Sequence, residues 1–213
     1  MRRNNVIYTM VMLALLIGLV FVLDLTVGAV SLGPLSITLV GIPVAIATCV
    51  FGPIAGIILG FFWGLTSLIK GLTGMDVMGV QLLSINAFGT VFTCFVPRML
   101  VGLISGFIYK LNTKWDKKGY INSMITSGSV ALLNTILFLS SLCLFFWNTD
   151  YIKSFREYYN TDNVIVFIAL VASWNALLEL GVNLFVGSAC VFGVNKAALA
   201  LGVRPLFGNK KED

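Results

Sequence analysis

The sequence predicts an all-α fold: one polytopic membrane domain covering residues 1–213, built as a bundle of six transmembrane helices. Two observations carry that prediction. Hydrophobic residues make up 58% of the chain and charged residues 11%, with a mean hydropathy of +0.97, whereas a soluble domain carries about 25% charged residues. The apolar residues also fall in continuous runs. These are long enough to cross about 30 Å of hydrocarbon as helices of about 20 residues, and they lack the alternation of a barrel strand.

The first run, 6–23, follows the basic stretch Met1-Arg2-Arg3-Asn4-Asn5. It is too long for the apolar core of a signal peptide, and no small-residue cleavage site follows it, so it is predicted to be a retained first span. On it Ala14 and Gly18 form a small-xxx-small pair, which either packs within the bundle or lets a partner helix approach closely. Residues 24–36 (DLTVGAVSLGPLS) are predicted to form a loop or short hairpin outside the apolar core. The second span is predicted at 37–51, where Pro43 either kinks the helix or marks its first turn. Gly52-Pro53 reverses the chain. The third span, 54–69, carries Gly56, Gly60 and Gly64, a glycine every fourth residue that favours close helix contact.

Residues 70–86 (KGLTGMDVMGVQLLSIN) are too polar to face lipid and too apolar for a free linker, which suits a segment folded over a cavity mouth. The fourth span, 87–111, contains Pro97-Arg98, where the proline either kinks the helix or begins its regular part and presents the arginine beside free backbone donors. After the basic loop of Lys114, Lys117 and Lys118, the fifth span, 121–147, holds Asn134-Thr135 among leucines and isoleucines. Residues 148–163, with Tyr151, Phe155, Tyr158 and Tyr159, have the composition of a membrane-surface segment. The sixth span, 164–196, carries Trp174, Asn175 and Glu179. Asn175 and Glu179 are four residues apart and therefore share one helix face.

Charge sets the expected topology and excludes several functions. The net charge is +5 with a pI near 9.1, but the basic residues sit at the ends of spans and not interleaved with aromatics on one face, so no nucleic-acid surface is expected. Arg2, Arg3, Lys110, Lys114, Lys117, Lys118, Lys196, Arg204, Lys210 and Lys211 share one side, against Lys70, Lys153 and Arg156 on the other. The positive-inside rule then puts both termini in the cytoplasm of a multi-pass plasma-membrane protein. The chain has no histidine and no C-x-x-C pair, which removes a histidine base and a zinc site. Cys49, Cys94, Cys143 and Cys190 are expected to pack as small hydrophobes. An intramembrane enzyme using Glu179 or Asp24 is the reading from another class. Missing paired acids at metal-ligand spacing, and the lack of an activated nucleophile, count against it.

Polar groups at similar depth on three spans define the candidate site. Arg98, Asn134, Asn175 and Glu179 are all expected in the outer half of the bundle, with Asn86 and Gln81 descending from the loop above. Two accounts stay open at this point. Arg98 and Glu179 form a structural ion pair while the asparagines bond neighbouring helices. Alternatively they line a pocket for a polar organic molecule, with Arg98 taking a carboxylate, Asn86, Asn134 and Asn175 taking hydroxyl or amide groups, and Trp174 and Phe138 as apolar walls.

Short motifs spread along nearly the whole chain add a family resemblance. Leu32-Gly33-Pro34 with Ile37-Thr38-Leu39, Ile42-Pro43, Phe51-Gly52-Pro53, Gly60 with Gly64-Leu65-Thr66-Ser67-Leu68, Phe95-Val96-Pro97-Arg98, Asn134-Thr135, and Asn175 with Glu179 occur in that order. In this the sequence resembles the substrate-binding S components of energy-coupling factor (ECF) vitamin transporters. The resemblance implies a six-helix bundle that captures a vitamin from outside and docks onto a transmembrane coupling subunit carrying two ATPase subunits. It implies docking through an Ala-xxx-Ala motif on the first helix; here Ala14 matches and Gly18 stands in for the second alanine. The chain has no G-x-x-x-x-G-K-[ST] motif, so it holds no cofactor of its own and ATP is left to those partners. Among vitamins, pantothenate suits one arginine and several amides. Folate and riboflavin call for flat aromatic slots, and a thiamin-precursor pyrimidine would use Glu179 and the asparagines.

Overall fold

The computed structural model describes residues 2–27, 31–32, 35–36, 38–113 and 119–200, with the side chains of 2–5, 27, 31–32, 35–36, 173–175 and 199–200 outside that description. Lys114, Lys117, Lys118, Arg204, Lys210 and Lys211 lie outside the described residues. Helix α1 (Arg2–Val22) runs into a π-helical turn, Leu23–Val27. A small antiparallel hairpin follows, pairing Ser31 with Ser36 and Leu32 with Leu35. It falls where a short hairpin was expected, but Asp24 does not lie outside the apolar core. That residue is 2% exposed, because the π-turn points its carboxylate inward to Lys70 and Thr66.

The stretch expected as the second span is helical only over α2 (Gly41–Phe51), whose 11 residues reach about 16 Å, half the hydrocarbon thickness. Every residue of α2 except Ile42 is buried, so it is a plug inside the bundle and Pro43 sits in its first turn. Among the described residues five segments are long and apolar enough to span: Val6–Thr26, Pro53–Thr73, Ala87–Asn112, Tyr120–Phe146 and Ala176–Ala198.

After Gly52, whose φ of 92° only glycine adopts cheaply, Pro53 opens α3 (Pro53–Thr73) at the position where a proline costs no hydrogen bond. Its glycines meet α5 (Ala87–Asn112) backbone to backbone. A Cβ on Gly56 would stand 2.5 Å from the Gly102 carbonyl oxygen, and one on Gly64 2.7 Å from that of Cys94. Between them α4 (Val77–Ile85) starts on the Asp76 carboxylate, which accepts the Met78 N–H at 3.2 Å. Helix α6 (Tyr120–Phe146) leads to the surface helix α7 (Asp150–Tyr158), capped by the Thr149 hydroxyl. The last rod is α8 (Val164–Val182), a π-helical turn (Asn183–Gly187) and α9 (Ser188–Ala200).

The apolar interior is divided in two. One cluster joins α1, α2, α3, α5, α6 and α9 around Val44, Val50, Leu59, Val101 and Val130. The other joins α4, the end of α6, α7 and the start of α8 around Leu82, Leu142, Phe146, Ile152 and Phe167. A polar cavity lies where they meet, with Trp63 from the first cluster and Leu82 and Leu139 from the second on its walls.

Candidate functional site

The cavity, of about 110 Å³, is lined from α3, α4, α5, α6 and α8, with Asp24 and Thr38 added from the segment before α2. Its central cation is Arg98. Pro97 has no N–H, so the carbonyl of Thr93, one turn back, loses its helical partner. Arg98 Nη1 supplies that hydrogen bond at 3.3 Å and donates to the Cys94 carbonyl at 2.8 Å. The Pro97-Arg98 pair thus repairs its own kink and fixes the guanidinium. Its Cζ lies 5.3 Å from the Trp63 ring centroid and 5.6 Å from that of Phe138, so the planar cation is held between two rings.

Glu179 forms another part of the wall. It is 6% exposed, and its Oε1 accepts the Thr38 backbone N–H at 2.9 Å, with the Asn134 side chain beside the same carboxylate. One turn below, Asn183 Nδ2 donates to the Glu179 carbonyl at 2.9 Å. Arg98 and Glu179 are not an ion pair: among the described residues the pairs are Lys70–Asp24, Lys153–Asp150 and Arg156–Asp162. The first of these is at the cavity, where Lys70 Nζ stands 2.7 Å from Asp24 Oδ1 and the Thr66 hydroxyl donates to Oδ2.

Three buried polar atoms of cavity-lining residues have no protein partner: Arg98 Nε, Asn134 Oδ1 and Thr93 Oγ1. Leaving such a group unsatisfied costs about 1–3 kcal/mol, so native structures seldom do so without a reason. Outside the membrane-spanning helices, Tyr151 of α7 packs against the second apolar cluster. Its burial, and secondarily the negative charge of Asp76, raise its hydroxyl pKa above the ordinary tyrosine value.

Of the residues singled out from sequence, Arg98, Asn134, Glu179 and Phe138 line the cavity. Asn86 does not; its Oδ1 accepts the Gly89 N–H at 2.9 Å as the N-cap of α5, and Gln81 is exposed. Trp174 and Asn175 lie on α8, and their side chains are outside the described residues. Ala14 and Gly18 lie on an exposed face of α1, where a Cβ on Gly18 would meet nothing within 4 Å. Sequence reasoning did not place Asp24, Trp63, Lys70 or Thr93 at this cavity. The signal for two of them was present: Trp63, Ser67 and Lys70 follow an i, i+4, i+7 spacing and line the cavity from one face of α3.

The family description "ECF transporter, substrate-specific component" matches residues 8–191. The chain is also similar to a protein named pantothenic acid transporter PanT from Lactococcus lactis subsp. cremoris, at 27% identity over 176 residues, 77% of this chain and 80% of that one. A second relative, named pantothenate transporter PanT, from Leuconostoc mesenteroides subsp. mesenteroides, is 32% identical over 111 residues, about half of each chain at 51% and 52%. With a match that runs from α1 into α9, the chain belongs to the substrate-specific components of ECF transporters and is a membrane transport protein, not an enzyme.

Proposed function

We propose that this S component captures pantothenate in the cavity around Arg98 and delivers it inward. The observation that carries the reading is the set of buried, unpartnered polar atoms on Arg98, Asn134 and Thr93, three residues that line one cavity. Pantothenate presents one carboxylate, one amide and two hydroxyls. The guanidinium, held by two rings and with Nε free, takes the carboxylate as a charge-assisted pair, and Asn134 and Thr93 take amide or hydroxyl groups. Among the described residues no pair of parallel rings leaves a flat slot for a pterin or a flavin. The names of the two relatives support the same vitamin.

In this reading the chain crosses the membrane six times, with the α2 plug completing one crossing, and both termini lie in the cytoplasm. The cavity then opens outward, beneath α4 and α7. The exposed Ala14–Gly18 face of α1 docks on a transmembrane coupling subunit, and two ATPase subunits hydrolyse the ATP. Equilibrium binding to the purified chain in nanodiscs tests the assignment, using labelled pantothenate against folate, riboflavin and a thiamin-precursor pyrimidine, without ATP. Tight binding of pantothenate alone is expected. Binding no tighter than micromolar, or preference for another vitamin, would remove it.

A further inference from the structure

A second recognition element stands above Arg98 in the same cavity. Asp24 is 2% exposed and shares its two oxygens between Lys70 Nζ and the Thr66 hydroxyl. Asp24 and Lys70 both line the cavity. An ammonium has three donors, and Asp24 is the sole acceptor of Lys70 Nζ among the described residues, so two donors remain for a ligand. A buried ion pair is a weak source of stability, since desolvation offsets most of the attraction. A pair of this kind on a cavity wall is better accounted for by what enters the cavity. Along α3, Trp63 and Lys70 share one face about 10 Å apart, and Arg98 lies against Trp63. The cavity therefore has a lone guanidinium low on its wall and an internally neutralised charge pair higher up.

The geometry points to Asp24 and Lys70 as the specificity-determining pair that binds the uncharged, hydroxyl-bearing end of the substrate while Arg98 holds its carboxylate. Because Asp24 neutralises it, Lys70 does not compete with Arg98 for the anion. What the pair offers is an N–H donor beside a carboxylate acceptor, the complement of a hydroxyl, which donates and accepts at once. A carboxylate and a terminal hydroxyl roughly 10 Å apart in an extended molecule span the same separation as Trp63 and Lys70. The inference rests on the pantothenate reading of the cavity and adds which end goes where.

The test compares pantothenate with its analogue in which the terminal hydroxyl is replaced by hydrogen, by equilibrium binding to the purified full chain. The wild-type protein should bind the analogue about 10- to 100-fold more weakly, the range expected for hydrogen bonds to charged groups. In the double variant Asp24→Leu/Lys70→Met, which approximates side-chain size and removes both charges together with their donors and acceptors, the two ligands should bind within about threefold of each other. An unchanged ratio overturns the proposal. Should that variant not fold, Thr66→Val, which removes one hydrogen bond from Asp24 and keeps both charges, should lower the ratio severalfold; a ratio equal to wild type overturns the proposal in the same way. A folded wild-type chain without affinity for pantothenate would sink the vitamin assignment itself, an outcome visible before any variant is made.

Discussion

Replacing Gly60 with alanine tests the link between helix packing and the site. A Cβ there would lie 2.3 Å from the Arg98 carbonyl oxygen, 2.7 Å from the carbonyl carbon and 2.9 Å from Met99 Cα. All three are backbone atoms, so no side chain can swing aside. Restoring ordinary contact at 3.4 Å requires α3 and α5 to part by about 1 Å, and a packed interior resists this. Overpacking of this kind costs about 1–3 kcal/mol. At about 2–4 °C per kcal/mol for a chain of this size, the melting temperature should fall by about 2–12 °C. Affinity should fall too. The guanidinium is tied to the Thr93 and Cys94 carbonyls of its own helix, so it moves with α5 and leaves Trp63 behind. The 5.3 Å ring contact then opens beyond the ~6 Å over which a cation–π attraction is felt. Losing about 0.5–2 kcal/mol weakens binding about two- to thirtyfold. Gly18→Ala, where a Cβ meets nothing within 4 Å, is the matched control. Thermal unfolding and ligand titration of both variants in the same nanodiscs check the argument. A Gly60→Ala protein that melts and binds as Gly18→Ala does would refute it.

Other expectations follow from the same geometry. Arg98→Lys keeps the charge but loses the planar fork and its stacking on Trp63 and Phe138, so titration should show affinity at least about tenfold weaker. Asn134→Ala should weaken binding about 5- to 100-fold without unfolding the protein, because a ligand group loses a buried partner; unchanged affinity would take Asn134 out of the site. Glu179→Gln keeps an oxygen for the Thr38 N–H and should bind better than Glu179→Leu, which leaves that donor unpaired, a ranking that titration of the two variants checks. Ala14→Trp or Gly18→Trp should abolish uptake in cells and spare binding by the isolated chain; normal uptake would take α1 out of the docking surface.

Much of the fold was legible because it rests on local rules. The four-residue glycine spacing on α3 announces a helix face that touches backbone, and it does so against α5. The polar residues Arg98, Asn134 and Glu179 stood out in apolar runs and converge. Asn86 caps α5, and a helix cap and a ligand group look alike in a sequence; both are an amide at the edge of an apolar run. Asp24 was hidden for another reason. It stands at the end of an apolar run, between Leu23 and Leu25, and its partner Lys70 is 46 positions away, a pairing that only the packing of the first helix and its π-turn on α3 brings about. The 37–51 run read as a full span because burial inside protein and burial in lipid select the same residues. What separates them is length, since the helix starts only at Gly41, where a Cβ would stand 2.6 Å from Asn183 Oδ1 and that side chain would have to shift.

The π-helical turn at Asn183–Gly187 has a consequence for phase. Glu179 and Val191 are both buried, yet twelve steps of an unbroken α-helix would set them about 120° apart around the axis. One additional residue accommodated by the wider turn absorbs about 100° of that, and the two side chains end within about 20° of one direction. Deleting a single residue from that turn would regularise the helix and keep both side chains inward, whereas regularising it without a deletion would set them about 120° apart and turn either the carboxylate or the valine outward. The rod behaves as two independently aimed shafts on one coupling, so the cavity-facing shaft can change its chemistry while the other keeps its grip on the core.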